Sequence, residues 1–173
     1  MEEKKNEMLT TKDIEKLSNE LTYRRYLFNK DQISNFFSNL SVRDYIALHI
    51  IKETGESEDI YSGRTYLKDL AEKMQLTIRQ TSHMMGALKE RGLVAWSHDG
   101  DGSEGTYVTI TESGEQLLHN QESVLKNYYG KVIEKYGKDN LIQLLHLMKQ
   151  LETVMSSELE GMEVAESYDE TVE

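Results

Sequence analysis

The stretch from residue 65 to residue 93 limits the fold more than any other, because it holds two helical patterns with almost no chain between them. The patterns are TYLKDLAEKMQL and TIRQTSHMMGALKERGL. The second begins at Thr77, a residue type suited to an N-cap, and stops at Gly92 as a helix does before a C′ glycine. Residues at helical spacing give each helix one inward face: Leu67, Leu70, Ala71 and Met74 in the first, and Thr81, Met84, Met85 and Leu88 in the second. Two such helices joined this closely predict a helix-turn-helix.

Two runs rich in β-branched and aromatic residues, LVAWSH and TYVTIT, follow and flank the loop DGDGSEG. This arrangement predicts a β-hairpin. A hairpin added to a helix-turn-helix makes a winged helix-turn-helix, in which one helix fits the major groove of DNA and the hairpin reaches the backbone or the minor groove.

The loop DGDGSEG also matches three functional patterns in part. Its glycines have the G-x-G-x-x-G spacing of a dinucleotide loop or a kinase flap, and its acids resemble the opening of a calcium loop. A dinucleotide loop leads into a helix, whereas this one leads into a strand, and the chain has no V-A-I-K, H-R-D or D-F-G segment. Glu104 and Ile110 stand where a calcium loop needs Gly and Glu. The loop is therefore predicted to be a hairpin tip whose glycines supply positive φ angles.

Helical patterns occupy most of the remaining chain. Thr10 or Thr11 is suited to cap a first helix, and Ser41 to cap a short core helix whose predicted inward stripe is Val42, Tyr45, Ile46 and His49. Residues 54–64 are polar and contain glycine, which predicts a loop that ends in a short strand. Two long amphipathic helices are predicted from residue 111 to 136 and from residue 139 to 159. Helices of that kind need a partner surface, so we expect dimerisation.

The predicted fold is mainly α with a small β-hairpin wing: a winged helix-turn-helix flanked by N- and C-terminal dimerisation helices. An N-terminal helix of the dimerisation region is expected in residues 10–40, and the DNA-binding domain in residues 41–112. The C-terminal dimerisation helices are expected in residues 113–160, and an acidic disordered tail in residues 161–173.

Charge is distributed unevenly. The net charge of −11 argues at first sight against a nucleic-acid partner. However, residues 158–173 contain seven acids and no Lys or Arg, so this segment alone carries −7. Residues 60–98 contain six Lys or Arg and three acids, a balance of +3. The chain is thus acidic with a basic centre, and DNA stays a candidate partner.

Several classes of site and location are disfavoured. The chain has no Cys, which excludes a disulfide framework, a thiolate zinc site and a cysteine redox switch. No apolar run approaches the length of a membrane span, and the N-terminus has no signal-peptide core. We therefore expect a cytoplasmic protein with no membrane partner.

Three stretches together resemble the MarR-type bacterial transcriptional regulators. LKDLAEKMQLT is similar to the family helix L-A-x-x-L-x-(V/L)-S/T, and IRQTSHMMGALKERGLV resembles its recognition helix, which ends in L-x-x-K/R-G-L-V. VTITESGEQLL is similar to the wing strand and the V-x-L-T-x-x-G-x-x-L start of the next helix. The likeness covers most of residues 10–160. It implies a homodimer that binds double-stranded DNA.

The candidate DNA contacts lie on the outward face of the second helix and on nearby cations. Arg79 is suited to guanine and Gln80 to adenine. Arg64, Lys68 and Lys89 are suited to phosphates, which position a protein without giving specificity. The full candidate set is Thr77, Ile78, Arg79, Gln80, Ser82, His83, Arg64, Lys68 and Lys89.

Two departures from the resemblance affect these contacts. The family wing usually carries Asp-x-Arg, whose arginine enters the minor groove, but here Gly102, Ser103 and Glu104 occupy those positions. The recognition helix often carries Arg where this chain has His83, which is either a DNA contact or a plain surface histidine.

The resemblance also implies a small-molecule effector site. The candidate lining is Tyr23, Tyr26, His49, Tyr128 and Tyr129; the alternatives are ordinary dimer packing for the tyrosines and a satisfied core position for His49. His119 has Glu115 and Glu122 at helical spacing, which is able to bind a divalent metal. Glu-rich helices often produce such trios by chance, so neither a metal nor a cofactor is expected.

The sequence therefore predicts a homodimeric, sequence-specific transcriptional regulator, expected to be a repressor that a small effector releases. Two recognition helices related by a two-fold axis read a pseudo-palindrome with half-sites about one turn, ~10 bp, apart. The alternative is a winged-helix protein-interaction module with weak or lost DNA binding, since an acidic wing tip repels phosphate. No nucleophile–base motif supports an enzyme.

Overall fold

The computed structural model describes residues 10–29, 36–37, 39–55, 63–100 and 105–169. In chain order the elements are α1 (Thr11–Asn29), α2 (Val42–Gly55), β1 (Thr65–Tyr66), α3 (Leu67–Lys73), α4 (Ile78–Glu90), β2 (Val94–His98), β3 (Thr106–Ile110), α5 (Glu112–Tyr136) and α6 (Lys138–Asp169). They form two compact units, one ending at Gln121 and the other beginning at Glu122. None of the helices in the described part of the chain combines the length and apolar character needed to cross a membrane.

The predicted fold class is confirmed: helices dominate, and a small antiparallel sheet forms the wing. β2 and β3 pair from Val94↔Ile110 to His98↔Thr106, as the hairpin signal predicts. The sheet has the order β1-β3-β2, and its third strand is the two-residue β1, which pairs Thr65 with Val108. The wing is thereby joined to the chain that leads into α3.

The helix-turn-helix prediction is confirmed in its inward faces and in the bounds of α4, whereas the first two residues of the pattern TYLKDLAEKMQL form β1 and α3 covers only Leu67–Lys73. The predicted positions Leu67, Leu70 and Ala71 of α3 are buried and Met74 is half-buried, while Thr81, Met84, Met85 and Leu88 of α4 are buried. Both helices end in Schellman motifs, with the N–H groups of Gln75 and Leu76 donating to Glu72 and Ala71, and those of Gly92 and Leu93 donating to Lys89 and Leu88. Gly92 has φ +72°, as its predicted C′ role requires.

The predicted inward stripe of α2 is wrong at Val42 and Ile46, whereas Tyr45 packs against the core and His49 is half-buried. Val42 and Ile46 are each 43% exposed, and the buried residues are Ala47, Leu48 and Ile51. α2 has apolar residues on most of its circumference, so helical spacing fits more than one face. The face that is buried is set by contacts with α3 and β3, which the local pattern does not contain.

The predicted N-caps of the first two helices are confirmed. The Thr10 hydroxyl oxygen accepts from the Asp13 N–H at 3.2 Å, which decides for Thr10 over Thr11. The Ser41 hydroxyl oxygen accepts from the Asp44 N–H at 3.1 Å. Each cap satisfies one of the donors that a helix start leaves without a partner.

The C-terminal helices differ from prediction mainly in length. α6 continues to Asp169, so part of the expected acidic tail is helical, and the rest lies outside the described residues. Glu, Met and Ala are good helix formers, and no proline interrupts the segment, so helix propensity carries α6 past residue 159. The four predicted domain ranges otherwise stay predictions.

The T-x-x-G segment after the wing has a geometric reason. The Thr111 hydroxyl donates to the Gly92 carbonyl at 2.7 Å and accepts from the Gly114 N–H at 3.1 Å. A Cβ atom at Gly114 would overlap the Leu93 carbonyl oxygen. The start of α5 therefore lies directly against the chain that links α4 to β2, and only glycine allows that approach.

Gly114→Ala should accordingly lower the free energy of unfolding by about 1–3 kcal/mol, because the backbone must shift to remove the overlap. Urea unfolding followed by circular dichroism measures it. Gly86→Ala is the matched control: Gly86 lies in α4, nothing is within 4 Å of its added Cβ, and the change should raise stability by about 0.5–1 kcal/mol. Equal effects of the two changes would contradict the close approach at Gly114.

Candidate nucleic-acid interface

The N-terminus of α4 is held by a capping box between Thr77 and Gln80. The Thr77 hydroxyl oxygen accepts from the Gln80 N–H at 3.2 Å. The Gln80 side-chain oxygen Oε1 in turn accepts from the Thr77 N–H at 2.9 Å and from the Thr77 hydroxyl at 3.1 Å. This reciprocal pair fixes where α4 begins and holds the Gln80 side chain against the cap.

The outward face of this helix end carries most of the predicted contacts. Ile78 is 58% exposed, and Thr77, Arg79, Gln80 and His83 are exposed as well. Ser82, also predicted, is half-buried at the edge of this face. The buried stripe of α4 on the opposite side fixes the rotation of the helix. The structure thus brings six predicted residues, 77–80 and 82–83, to one exposed surface, which we call the α4 surface.

The three predicted phosphate-binding cations are placed differently from one another. Lys68 is exposed on α3, and Lys89 is exposed in the last turn of α4. Lys89 lies ten residues from Arg79, roughly 15 Å along the helix axis. A phosphate contact of Lys89 would therefore lie at the far end of α4 and not at the α4 surface.

Arg64 is held within the wing by several contacts. One guanidinium N–H donates to Asp99 Oδ2 at 2.6 Å, and the guanidinium lies 4.8 Å from the centroid of the Tyr107 ring. The Tyr66 hydroxyl donates to the same Asp99 oxygen at 2.9 Å. The side chains of Arg64 and Asp99 are about one-third exposed, at 35% and 34%. The expectation that Arg64 holds a phosphate stays a prediction, and a carboxylate already satisfies part of its charge.

The same Asp99 explains part of the loop DGDGSEG. Its N–H donates to the Gly105 carbonyl at 2.8 Å and closes the base of the hairpin. A Cβ atom at Gly105 would overlap the Asp99 carbonyl oxygen, and Gly100 has φ +73°. The predicted positive φ is confirmed at Gly100, whereas Gly105 is needed for the close approach of the two backbone segments and has no positive φ. Gly102, Ser103 and Glu104, which replace the family arginine, lie outside the described residues, but the sequence contains no Lys or Arg between Gly92 and Lys126.

The expected effector lining stays a prediction. Tyr23 and Tyr26 are exposed on α1, and the rings of Tyr128 and Tyr129 on α5 meet edge to face at 5.1 Å. His49 is not a fully buried core residue: its ring stacks on that of Tyr45 at 6.0 Å, and its Nε2 lies 3.3 Å from Glu53. No cluster of three His, Asp or Glu side chains able to hold a metal ion occurs within the described ranges, the His119 trio included.

Two features of the candidate interface, one in α4 and one in the wing, were not predicted from the sequence. The pattern Thr77-x-x-Gln80 is a capping-box signature, and it was available to assign the Gln80 oxygen to the cap. The cluster of Arg64, Tyr66 and Asp99 had no such signal, because its members are far apart in the chain and meet only when β1 pairs with β3.

This geometry is similar to that of solved structures, although no family model and no curated protein matches the sequence. Among solved structures, a MarR family regulator from Neisseria meningitidis is similar with a TM-score of 0.59 and 18% identity, over 85% of this chain and 96% of the other. The chain has the fold of the MarR-type regulators. This confirms the resemblance inferred from the three sequence stretches.

Two further structures with the MarR fold are similar over most of their length. BpsR of Bordetella bronchiseptica, whose DNA binding is regulated by 6-hydroxynicotinic acid, has a TM-score of 0.59 and 17% identity, over 78% of this chain and 91% of its own. NadR in complex with 4-hydroxyphenylacetate has a TM-score of 0.51 and 16% identity, over 87% of this chain and 96% of its own. At these identities the likeness establishes the fold.

The wing cluster generates a pH prediction. The hydrogen bond to the Asp99 carboxylate stabilises the protonated phenol and raises the pKa of Tyr66 above its usual value. Asp99→Asn should lower the pKa of Tyr66, because the amide is a weaker acceptor and carries no negative charge. NMR titration of Cζ-labelled tyrosine measures it, with the signal assigned by Tyr66→Phe. Asp69→Asn, an equivalent change on the exposed side of α3, should leave the pKa of Tyr66 unchanged. An equal pKa shift in both variants would contradict the contact between Tyr66 and Asp99.

Proposed function

We propose that this protein is a sequence-specific DNA-binding transcriptional regulator that acts in the cytoplasm as a homodimeric repressor. The observation that carries the proposal is the α4 surface, an exposed helix end that presents Arg79, Gln80 and His83 on a fixed backbone. A single α-helix fits the major groove, where base pairs are distinguished by their donors and acceptors. The described part of the chain has the elements for this mode: a helix-turn-helix and a hairpin beside it.

Electrostatics support the same surface. Arg79 and Lys68 are exposed, and the N-terminus of α4 adds the positive end of a helix dipole, which favours nearby phosphate. The first turn of α4 contains no acid that would cancel this effect. Phosphates can therefore approach the α4 surface although the whole chain is acidic.

Exposed apolar residues support the homodimer. α1 exposes Ile14, Leu17, Leu21 and Phe28, and α6 exposes Leu145, Met148, Leu151, Val154 and Leu159. Apolar rows of this length on a single chain favour burial against another copy. A two-fold axis would then hold the two α4 surfaces about 34 Å apart. At that separation they fit successive major grooves of a pseudo-palindrome.

Release by a small effector completes the proposal. NadR forms a complex with 4-hydroxyphenylacetate, and the DNA binding of BpsR is regulated by 6-hydroxynicotinic acid, so one protein of this fold binds a small acid and another is regulated by one. For this chain we propose a small effector that contacts the tyrosines of α1 and α5, Tyr23, Tyr26, Tyr128 and Tyr129. The half-buried His49 is a further candidate contact.

A second function, a protein-interaction module with weak or lost DNA binding, is favoured by the wing. The wing sequence has no Lys or Arg, and the nearest arginine, Arg64, is paired with Asp99. Salt dependence separates the two functions. Phosphate contacts release counterions, so DNA affinity should fall steeply as salt rises, whereas an interaction module shows no such response to a duplex.

Replacing Arg79 tests the DNA-binding proposal. Arg79→Ala should weaken binding to a preferred duplex by about 1–3 kcal/mol, because a base contact is lost. Fluorescence anisotropy measures it, with a labelled duplex from the upstream region of the gene and a scrambled duplex, each at low and physiological salt.

Arg25→Ala, which removes an exposed arginine from α1, is the control and should change the specific affinity much less. The proposal for Arg79 fails if the two variants bind the preferred duplex equally well. Equal, salt-insensitive binding of the unmodified protein to both duplexes would favour the interaction module instead.

A further inference from the structure

The side-chain amide of Gln80 has a fixed orientation in the capping box. Its oxygen Oε1 faces the Thr77 N–H at 2.9 Å, and the hydroxyl of the same residue approaches at 3.1 Å. The opposite orientation would place the amide NH₂ against the Thr77 N–H, donor against donor. The hydrogen-bond chemistry therefore decides that the oxygen faces the cap.

This orientation uses the full acceptor capacity of the amide. A carboxamide oxygen has two lone pairs, and the two Thr77 donors occupy both. The NH₂ group carries two N–H donors, and Gln80 is exposed. A duplex at the α4 surface would therefore meet a glutamine that offers donors alone.

We infer that Gln80 is a donor-only specificity residue that selects a guanine or thymine edge in the major groove. The inference rests on the proposed DNA binding. It replaces the sequence-level expectation that Gln80 reads adenine, because that contact is bidentate and needs the amide oxygen to accept from the adenine N6 amino group. In this structure that oxygen is already occupied.

The base chemistry divides cleanly under this constraint. In the major groove guanine presents two acceptors, N7 and O6, and thymine presents the acceptor O4. Adenine places an amino donor beside its N7, and cytosine presents an amino donor alone. A donor-only side chain finds two acceptors on guanine and one on thymine. On adenine its single acceptor N7 lies beside the N6 amino donor, which repels the second N–H, and on cytosine it meets only a donor. One hydrogen bond of ordinary strength corresponds to a preference of roughly fivefold.

Gln80→Glu is the variant that isolates this property. Glu is the other usual residue at this position of a capping box, so the cap is kept. The NH₂ donor becomes an acceptor, and the preferred base should change to cytosine, whose N4 amino group donates to carboxylates. Gln80→Met removes both polar atoms, and it should leave that position of the duplex without a preference.

The experiment is selection from a pool of duplexes with a randomised core by the full chain, with sequencing of the bound fraction. It is run in parallel for the unmodified protein and the two variants. The position where the three pools differ is the one that Gln80 contacts. Preference rather than affinity is compared, because the added charge of Glu lowers affinity for every duplex. Circular dichroism melting confirms that each variant is folded.

The inference predicts guanine or thymine at that position for the unmodified protein, cytosine for Gln80→Glu and no preference for Gln80→Met. A preference for adenine in the unmodified protein would overturn it while leaving DNA binding intact. Identical pools for the unmodified protein and Gln80→Met would overturn it too, because Gln80 would then contact no base. Failure of the unmodified protein to enrich any duplex would contradict the proposed function itself, and the inference would fall with it.

Discussion

The reciprocal hydrogen bonds between Thr77 and Gln80 are the interaction on which the α4 surface depends. They fix the first residue of α4, and the buried stripe that follows, Thr81, Met84, Met85 and Leu88, fixes its rotation. Together these two constraints place Arg79 and His83 on the exposed side of α4. A helix end that is both capped and packed presents its side chains with little freedom, which is what recognition of base edges requires.

An acid, Asp99, holds the wing together, and the wing tip lacks the arginine that the MarR resemblance leads one to expect. Asp99 closes the hairpin through its backbone, accepts from Tyr66 and pairs with Arg64. These contacts join the hairpin to the chain just before α3, so the wing is anchored to the helix-turn-helix that it flanks. The same contacts occupy the arginine that stands nearest to the wing. Under the proposed function, discrimination between DNA sequences therefore rests on α4, through the donors of Arg79 and Gln80.

The sequence predicted the helix-turn-helix well because its determinants are local. Caps at Thr77 and Gly92 and one apolar stripe on each helix define the boundaries and faces without reference to the rest of the chain. The buried face of α2 was mispredicted at Val42 and Ile46, since that helix is apolar on several sides and the choice depends on what packs against it. The pairing of Arg64 with Asp99 was not predictable either, because it follows from a strand register that joins distant residues. Local signals thus located the candidate contacts. A second local signal, the capping box, determines which polar atoms of Gln80 are left to bind a ligand, and a tertiary contact does the same for Arg64.

The most direct test of the account is amide hydrogen exchange of the full chain with and without a duplex from its upstream region. Binding through the α4 surface predicts slower exchange from Thr77 to His83, where the first turns of α4 would face the DNA. A scrambled duplex at physiological salt should give much less protection there. Protection confined to other elements, with exchange in α4 unchanged by the preferred duplex, would contradict the claim that α4 reads DNA.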